Sequence, residues 1–362
     1  METPIKVSPP GKIGPYVIRE EVGRGKTSIV YRAIDQTTQE NVAIKIVPKQ
    51  QFRNQAEMSK FQNEVSLLFR CHHPNVLFLI NLLQDSLNFY MVTELCDQDL
   101  EKFILSNGKL CEKDAKFVFK QIIEAMSFVN DKGIAHRDVK LENVLIDLKN
   151  NGRIVLSDFG FSLLAQDKAS SHVKCGTIAY IAPEVLNGDQ YNPFLSDVWS
   201  AGILLYALIT QTFPWPTTSE EDMVKHIQAR KISFPDYLSK EVIDLINQMT
   251  NIIPSKRPSF KKIMHHQWVS DINLPVIESK NMLRSQPNFY SIREVFRSNF
   301  NQRVVFNRNI HPVSSCFYSK KMPEGNEMKS DVLNVLQKSH RRAKLKNAAK
   351  RKTFPMLNDD LV

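Results

Sequence analysis

The first hundred residues alternate between short apolar runs and polar turns. The runs "SIVYRAID" (28–35) and "NVAIKIV" (41–47) are rich in β-branched and aromatic residues, which favours strands. Two more strands are predicted within "NVLFLINLLQDSLNFYMVTEL" (75–95). Between the run 41–47 and this segment, "AEMSKFQNEVSLLFRC" (56–71) has Phe61, Val65 and Leu68 at helical spacing. This part of the chain is therefore predicted to be a β-sheet with one helix.

From Cys111 onward the apolar positions follow the helical period. We predict helices in "CEKDAKFVFKQIIEAMSFVNDKG", "SDVWSAGILLYALIT", "SEEDMVKHIQAR", "SKEVIDLINQM" and "SFKKIMHHQW". The second of these is almost wholly apolar, so we expect it to be buried on all sides. Strands followed by helices favour an α+β fold of two lobes with a cleft between them.

Composition narrows the class of protein. Of the 362 residues, 42 % are hydrophobic and 24 % are charged, which is typical of a globular protein with a real core. The longest clear apolar run, "AGILLYALIT", is about half of the roughly 18 residues that span a bilayer, and the N-terminus has no apolar signal region. We therefore expect neither a membrane span nor a secretory signal. The five cysteines have no metal-like spacing, which favours free thiols in a reducing compartment.

Charge divides the chain near Ser270. Residues 1–270 contain 31 Lys and Arg against 30 Asp and Glu, whereas residues 271–362 contain 17 against 8. Nearly all of the net charge of +10 therefore belongs to the C-terminal tail. We place a domain boundary at this change in composition.

The stretch "GRGKTSIV" (23–30) has two incompatible interpretations. Gly25-Lys26-Thr27 resembles the end of a P-loop, but the first glycine of that motif is replaced by Glu20, an anion where a polyphosphate would lie. The segment that follows also favours a strand rather than the helix that a P-loop requires. We therefore prefer the second interpretation, a glycine-rich turn between two strands.

Several polar motifs follow in a fixed order. Lys45 lies inside the apolar strand "VAIK" and needs an anionic partner, for which Glu64 on the predicted helix is the candidate. "HRDVKLEN" (136–143), "SDFG" (157–160) and "APE" (182–184) come later. Two aspartates and an asparagine at this spacing fit phosphoryl transfer to a hydroxyl, in which one carboxylate accepts a proton and oxygen ligands hold Mg²⁺.

In this order the motifs resemble those of the eukaryotic protein kinase family over about residues 16–269. The resemblance implies Asp138 as catalytic base, Lys140 on the γ-phosphate, and Lys45, held by Glu64, on the α and β phosphates. It implies Mg²⁺ ligands at Asn143 and Asp158. It also implies an ATP site formed by Val22, Gly23, Arg24, Gly25, Lys26, Thr27, Ser28, Ile29, Val30, Ala43, Lys45, Glu94, Cys96 and Asp99, with Thr93 as a small gatekeeper.

Other matches to the family are structural. The resemblance implies an ion pair between Glu184 and Arg257 at the end of the activation segment. It also implies that Asp197 holds the backbone of the catalytic loop. Thr177 is expected to form hydrogen bonds with Asp138 and Lys140.

The resemblance also bears on the substrate. Lys140 and "CGTIAYIAPE" are similar to the serine/threonine kinases, and Glu142 and Asp99 lie where basophilic kinases receive an arginine before the target hydroxyl. "FPW" and "PSKRPSFKKIMHHQWV" are similar to the calcium/calmodulin-dependent and AMP-activated branch, which includes the checkpoint kinases. The alternative is a pseudokinase scaffold that binds partners without turnover.

The sequence departs from the family pattern at two places. The third glycine of the turn is Ser28, which predicts weaker or slower nucleotide exchange rather than inactivity. The usual phosphorylation position of the activation segment is Val173, although Arg137, which commonly anchors the phosphate, is present. Ser170 and Ser171 are candidate phosphorylation sites, and the alternative is a segment that needs no phosphate.

We therefore predict an N-terminal extension (1–15), a kinase domain (16–269) with an N-lobe (16–94) and a C-lobe (97–269), and a basic, largely disordered regulatory tail (270–362). Residues 330–352 can form a basic helix. It is interpreted as a nuclear signal, an autoinhibitory or calmodulin-binding helix, a patch for anionic lipid or a solvated tail. Protein substrates and a calmodulin-like regulator are the expected partners, without specific nucleic-acid binding. We expect a monomer in the cytoplasm, the nucleus or both.

Overall fold

The computed structural model describes residues 9–25, 28–164, 171–188, 190–272, 274 and 295. Two predicted nucleotide contacts, Lys26 and Thr27, lie outside the described residues, as does the candidate phosphorylation site Ser170. The predicted basic helix 330–352 and its four interpretations also lie outside them. The described residues form two compact units, one within 9–96 and 158–162 together with 295, and the other within 97–157 and 163–272 together with 274.

The first unit contains an antiparallel sheet and one long helix, as the sequence predicts. The strands lie in the order β1-β2-β3-β4-β6-β5. Their bounds are β1 Lys12–Ile13, β2 Tyr16–Arg24, β3 Ile29–Asp35, β4 Asn41–Pro48, β5 Leu79–Gln84 and β6 Asn88–Glu94, and the helix is α1 Gln55–Arg70. A polar turn joins β3 to β4, and β2, β3 and β4 pair as antiparallel neighbours in the sheet.

Helix α1 buries the stripe that its sequence predicts. Phe61, Val65 and Leu68 are buried, and Glu64 lies on the same face. The ring of Phe61 stacks on Phe89 of β6 at 4.9 Å between ring centroids. This packing fixes the rotation of the helix and therefore the direction in which Glu64 points.

The second unit is mainly helical. Its helices are α2 Leu100–Asn107, α3 Glu112–Asp131, α4 Pro183–Asn187, α5 Pro193–Thr210, α6 Glu220–Gln228, α7 Lys240–Met249, α8 Phe260–Ile263 and α9 Gln267–Ser270. It also contains short strands, β7 Gln98–Asp99, β8 Ile134–Ala135, β9 Val144–Asp147, β10 Arg153–Leu156 and β11 Leu163–Leu164. These strands pair in the orders β10-β9-β7 and β11-β8.

Two predictions for the second unit need correction. The run "SFKKIMHHQW" forms two short helices, α8 and α9, because the side chain of His266 caps the second one by accepting a hydrogen bond from the Trp268 amide at 3.2 Å. The short strands were not predicted, since two to four residues give no measurable alternation. Four of the five short strands, β7, β8, β9 and β10, adjoin the segments that carry the predicted site residues.

Helix α5 has 18 residues, whereas the apolar run "AGILLYALIT" within it has only ten. All of its 18 residues count toward a mean hydropathy of 1.4, so by length and composition alone it could cross a membrane. However, 78 % of the helix is buried inside the structure. Trp199 and Leu204, for example, are fully buried, which fits the prediction of a helix covered on all sides.

Candidate active site

The glycine-rich turn joins β2 to β3 in the first unit. Gly23 pairs with Val30 in the register of the two strands, and the Gly25 amide donates a hydrogen bond to the Ser28 carbonyl at 2.9 Å. Ser28 is buried, and a Cβ on Gly25 would lie only 3.7 Å from its hydroxyl oxygen. The serine at the third glycine position therefore packs inside the turn.

Two side chains of this turn have contrasting surroundings. Arg24, predicted to contact the nucleotide, donates two hydrogen bonds to the Glu21 carboxylate, at 2.9 and 2.6 Å. Val22 is 45 % exposed, although it is apolar. Ala43 of β4, also predicted at the ATP site, is buried, and so is Ile29.

Lys45 lies on β4 opposite Val30, and its amine reaches α1. The Nζ–Oε1 distance to Glu64 is 2.6 Å, so the predicted ion pair is confirmed. Burial lowers the pKa of Lys45, but the carboxylates of Glu64 and Asp158 outweigh this effect and raise it above its ordinary value. The amine therefore stays charged at neutral pH and is held at a defined position.

The segment 158–162 belongs to the same unit as Lys45. Asp158 has a positive φ of 59°, and its carboxylate accepts a hydrogen bond from the Gly160 amide at 3.3 Å. A Cβ on Gly160 would lie 3.2 Å from that carboxylate and 3.7 Å from the Glu64 carboxylate, so the glycine allows the close approach. Asn63 of α1 fixes the end of the segment by donating to the Ser162 carbonyl at 2.7 Å.

The end of β6 and the segment that follows contain Glu94 and Cys96, which are predicted to lie at the ATP site. The side chain of Glu94 accepts a hydrogen bond from the Phe78 amide at 3.0 Å. Thr93 is buried and donates to the Glu94 carbonyl. Cys96 is half-buried, and the chain then enters the second unit.

In the second unit, Asp138 is the centre of a dense polar cluster and is 6 % exposed. Its carboxylate accepts from the Thr177 amide at 3.1 Å and from the Thr177 hydroxyl at 3.3 Å. Lys140 Nζ lies 3.0 Å from the other carboxylate oxygen and 2.8 Å from the Thr177 hydroxyl. The predicted contacts of Thr177 with Asp138 and Lys140 are therefore confirmed.

Asn143 completes this cluster. Its Nδ2 donates to the Asp138 carboxylate and to the Asp138 backbone carbonyl, both at 2.9 Å. With the nitrogen used in this way, the amide presents its oxygen on the opposite side. An amide oxygen is a donor type that a hard divalent cation takes, and so is the carboxylate oxygen of Asp158 in the first unit.

The carboxylate of Asp197 holds the backbone that leads to Asp138. Its two oxygens accept from the amides of His136 and Arg137, each at 2.7 Å. Burial raises the pKa of Asp197 to about 7, although the two amides and the Arg137 guanidinium favour the charged form. Arg137 has a positive φ of 65°, so the Asp197 carboxylate stabilises a backbone conformation that a non-glycine residue rarely adopts.

The predicted ion pair between Glu184 and Arg257 is present. Two parallel hydrogen bonds of 2.6 and 2.8 Å join the guanidinium to the carboxylate. Arg257 is buried, donates to the Leu195 carbonyl and lies over the Trp199 ring. This pair ties α4 to the chain ahead of α8 and makes no contact with Asp138.

Two acidic residues, Asp99 and Glu142, were predicted to bind an arginine that precedes the target hydroxyl of the substrate. Asp99 caps α2 by accepting from the Lys102 amide at 2.8 Å, and it also pairs with the Lys102 amine. Glu142 follows Leu141 in the catalytic loop, and its Oε2 is buried without a hydrogen-bond partner among the described residues. Burial raises the pKa of Glu142, with Glu101 and Asp138 adding to the rise and Lys140 opposing it.

Sequence reasoning missed several residues that shape the site. His136 is fully buried and contacts the Ser157 carbonyl through Nε2 at 3.0 Å. Gly176 has a φ of 103°, and a Cβ there would lie 2.9 Å from the Arg137 carbonyl oxygen. Ser171, which was predicted only as a candidate phosphorylation site, forms an isolated antiparallel bridge with Tyr191. In the sequence, only Gly160 of "DFG" and Gly176 of "CGT" indicated a special backbone position, because each interrupts a segment of bulky residues.

Comparison with known proteins adds independent information. The family model described as "Protein kinase domain" matches residues 16–269. Sperm motility kinase 3A of Mus musculus is 33 % identical over 257 residues, which are 71 % of this chain and 50 % of that protein. CBL-interacting protein kinase 11 of Oryza sativa subsp. japonica is 35 % identical over 260 residues, which are 71 % of this chain and 51 % of that protein. The matched region thus spans about half the length of these curated relatives.

Proposed function

Because the chain belongs to the protein kinase family, with an α+β fold of two lobes, we propose that it is an active serine/threonine protein kinase that uses Mg·ATP. One observation above all supports activity. Asp138 is held at both carboxylate oxygens by Lys140, Asn143 and Thr177, so a proton acceptor has a fixed orientation. The pseudokinase alternative would not require this arrangement.

In the proposed reaction, the hydroxyl oxygen of a substrate serine or threonine forms a bond to the γ-phosphorus of ATP. The bond from that phosphorus to the β–γ bridging oxygen breaks, and ADP leaves. Asp138 orients the hydroxyl and takes up its proton, and Lys140 offsets negative charge on the transferred group. Lys45, fixed by Glu64, does the same for the phosphates that remain on ADP.

Asn143 and Asp158 are the proposed ligands of the divalent ion. When bound, Mg²⁺ supplies positive charge against the phosphate oxygens. The chain prepares its own part of this site, because Asn143 is oriented by Asp138 and Asp158 is oriented by the Gly160 amide. Both are oxygen donors, which suits Mg²⁺ better than the softer transition metals.

We also propose a preference for substrates with basic residues before the target hydroxyl. The buried Oε2 of Glu142 has no hydrogen-bond partner among the described residues, and Glu101 lies close enough to disfavour its negative charge. An arginine side chain from a substrate would satisfy the carboxylate and remove this repulsion. The geometry of Asp99 favours a capping role for that residue, so we assign the preference to Glu142.

The test is phosphate transfer by the purified full chain to matched peptides. Peptides carry Ser, Thr or Tyr as the acceptor and either Arg or Ala at the two and three positions before it, and mass spectrometry locates the phosphate. We expect transfer to Ser and Thr, with a lower KM for the Arg peptides. Glu142→Gln should remove that difference in KM with little change in kcat, whereas Glu241→Gln, an exposed matched change, should preserve it.

Each part of the proposal has its own contradicting result. Nucleotide binding without transfer to any peptide would favour the pseudokinase alternative. Transfer to Tyr alone would contradict serine/threonine specificity. An unchanged preference for Arg peptides in Glu142→Gln would remove the assignment of that residue without affecting the proposed reaction.

A further inference from the structure

The described part of the activation segment, residues 171–177, is held by a close series of hydrogen bonds. At its start, Ser171 and Tyr191 exchange both backbone hydrogen bonds, at 2.9 and 3.0 Å. At its end, Thr177 is bonded to Asp138 and Lys140. The segment therefore has a fixed start and a fixed end, and the fixed end is at the proposed catalytic base.

The Ser171 hydroxyl links this segment to the catalytic loop. Its oxygen accepts from the Val173 amide at 3.1 Å and from the Arg137 guanidinium at 3.4 Å. Ser171 itself is 6 % exposed, and both contacts are part-buried. Arg137 directly precedes Asp138, which means that the hydroxyl bonds the side chain of the residue next to the base.

Three further contacts hold the middle of the segment. The Tyr191 hydroxyl donates to the Val173 carbonyl at 2.8 Å. Lys174 donates to the Leu186 carbonyl at the end of α4, also at 2.8 Å. Gly176 has the positive φ that lets the chain pass close to the Arg137 carbonyl. Most residues between 171 and 177 thus have a defined contact within the second unit.

From these contacts we propose that Ser171 is a positioning residue whose unmodified hydroxyl orders the activation segment, so that the kinase needs no phosphate there. The inference rests on the proposed kinase activity. Position 173 carries valine, which accepts no phosphate, and it is 58 % exposed. The Ser171 hydroxyl is buried and already uses its acceptor positions, so a phosphate on it would have to displace the Val173 amide or open the bridge to Tyr191.

This arrangement gives the segment its order from neutral and singly charged hydrogen bonds. A phosphate in such a segment works by pairing with arginine and so ordering the chain. Here the Ser171 hydroxyl oxygen accepts a hydrogen bond from Arg137. Tyr191 pairs with the Ser171 backbone, and its hydroxyl donates to the Val173 carbonyl. The alternative use of Ser171, as a phosphorylated residue, is disfavoured by its burial.

The experiment uses the full chain after phosphatase treatment, with intact mass confirming that no phosphate remains. We compare kcat, KM for ATP and melting temperature among the unmodified chain, Ser171→Ala, Ser171→Thr and Tyr191→Phe. Ser170→Ala serves as the control, since it removes the neighbouring hydroxyl. Hydrogen exchange of residues 171–177 is measured in the same set, because it reports order in the segment whether or not the chain is active.

We expect the dephosphorylated chain to keep its activity. Ser171→Ala should lower kcat roughly three- to tenfold, the effect of losing one long hydrogen bond, of 3.4 Å, to Arg137. KM for ATP and the melting temperature should stay nearly unchanged, and the amides of 171–177 should exchange faster. Ser171→Thr, which keeps a hydroxyl, should recover most of the activity and the protection.

The inference is overturned if phosphatase treatment removes the activity, or if Ser171→Ala has the kcat and the exchange protection of the unmodified chain. The failure of the proposed function looks different: the unmodified chain then transfers no phosphate before or after treatment. In that case the exchange comparison still decides whether Ser171 orders the segment.

Discussion

Asp197 illustrates how a residue that contacts no substrate can set the position of one that does. It accepts two hydrogen bonds of 2.7 Å, one on each oxygen, from successive amides ahead of Asp138. An amide side chain has only one acceptor oxygen, so it cannot replace the carboxylate at both positions. The backbone conformation of Arg137, with its positive φ, depends on this pair of contacts.

We therefore predict that Asp197→Asn lowers kcat by roughly ten- to a hundredfold, which corresponds to one lost hydrogen bond to a charged group. Burial raises the pKa of Asp197 to about 7, so the wild-type carboxyl takes up a proton as the pH falls through that value. Wild-type kcat should then decrease from pH 8 to pH 6, and this step should be missing from the variant. The measurement is a pH profile of kcat for both proteins at saturating Mg·ATP and peptide.

Asp236→Asn is the matched control, since Asp236 is exposed, and it should follow the wild-type profile. A variant with the wild-type kcat at pH 8 would contradict the role given to Asp197. A variant that keeps the step near pH 7 would show that another group titrates there.

At this scale the sequence predicted polar residues best where spacing along the chain constrained them. Lys45, Glu64 and Asp138 stand in motifs whose order restricts their chemistry, and their contacts agree with that prediction. Ser171 and Tyr191 could not be found in this way. Their bridge joins residues twenty positions apart whose types are ordinary for a loop, and only the folded chain brings them together.

Helix α1 is the element that carries Glu64 to Lys45. The helix begins at an asparagine cap, where the Asn54 side chain accepts from the Glu57 amide at 3.0 Å. The Glu57 carboxylate in turn accepts from the Arg53 amide at 2.7 Å, which completes a reciprocal cap. About three turns of helix separate the cap from Glu64. Fraying that starts at Asn54 should therefore loosen the first turns of α1 before it affects the ion pair.

For this element we predict that Asn54→Ala destabilises α1 by about 1 kcal/mol, the usual cost of removing such a cap. Hydrogen exchange of residues 55–70 should increase by roughly fivefold, while exchange in α3 stays the same. Asn54→Asp keeps an acceptor at the cap and should preserve the protection. Equal exchange in Asn54→Ala and the wild type would show that packing alone, including Phe61 on Phe89, holds the helix.

The elements that the sequence predicted are those long enough to show a period. The strands around Lys45 and helices α1, α3, α5, α6 and α7 fall in this group. Strands of two to four residues, such as β8 and β9, show no alternation, so their pairing depends on contacts from elsewhere in the second unit. The break between α8 and α9 arises from the cap at His266, which a helical pattern of apolar residues does not reveal.

At the scale of the whole molecule, charge separates two parts of the chain with different constraints. Residues 1–270 are nearly neutral, with 31 basic against 30 acidic residues, and they contain all of the described core except Val295. The excess of nine positive charges lies in residues 271–362, which a folded core does not need. The predicted interpretations of that tail, from nuclear signal to autoinhibitory helix, stay predictions.

Each of the two units contains residues that the proposed reaction requires. The first supplies Lys45 with Glu64 and Asp158, and the second supplies Asp138 with Lys140 and Asn143. The sequence could predict these residues because their chemistry is local to short motifs. The hydrogen bonds from Thr177 to Asp138, across almost forty residues, were expected only from the family resemblance, and those from Asn143 to Asp138 were not predicted.

The most direct test is the transfer of radiolabelled γ-phosphate from ATP to a serine peptide by the wild type and by Asp138→Asn, with nucleotide binding and melting temperature measured on both proteins. We predict that the variant binds Mg·ATP within a few-fold of the wild type and melts at a similar temperature, but transfers phosphate about a hundredfold or more slowly. Equal rates of transfer by two equally folded proteins would contradict the account.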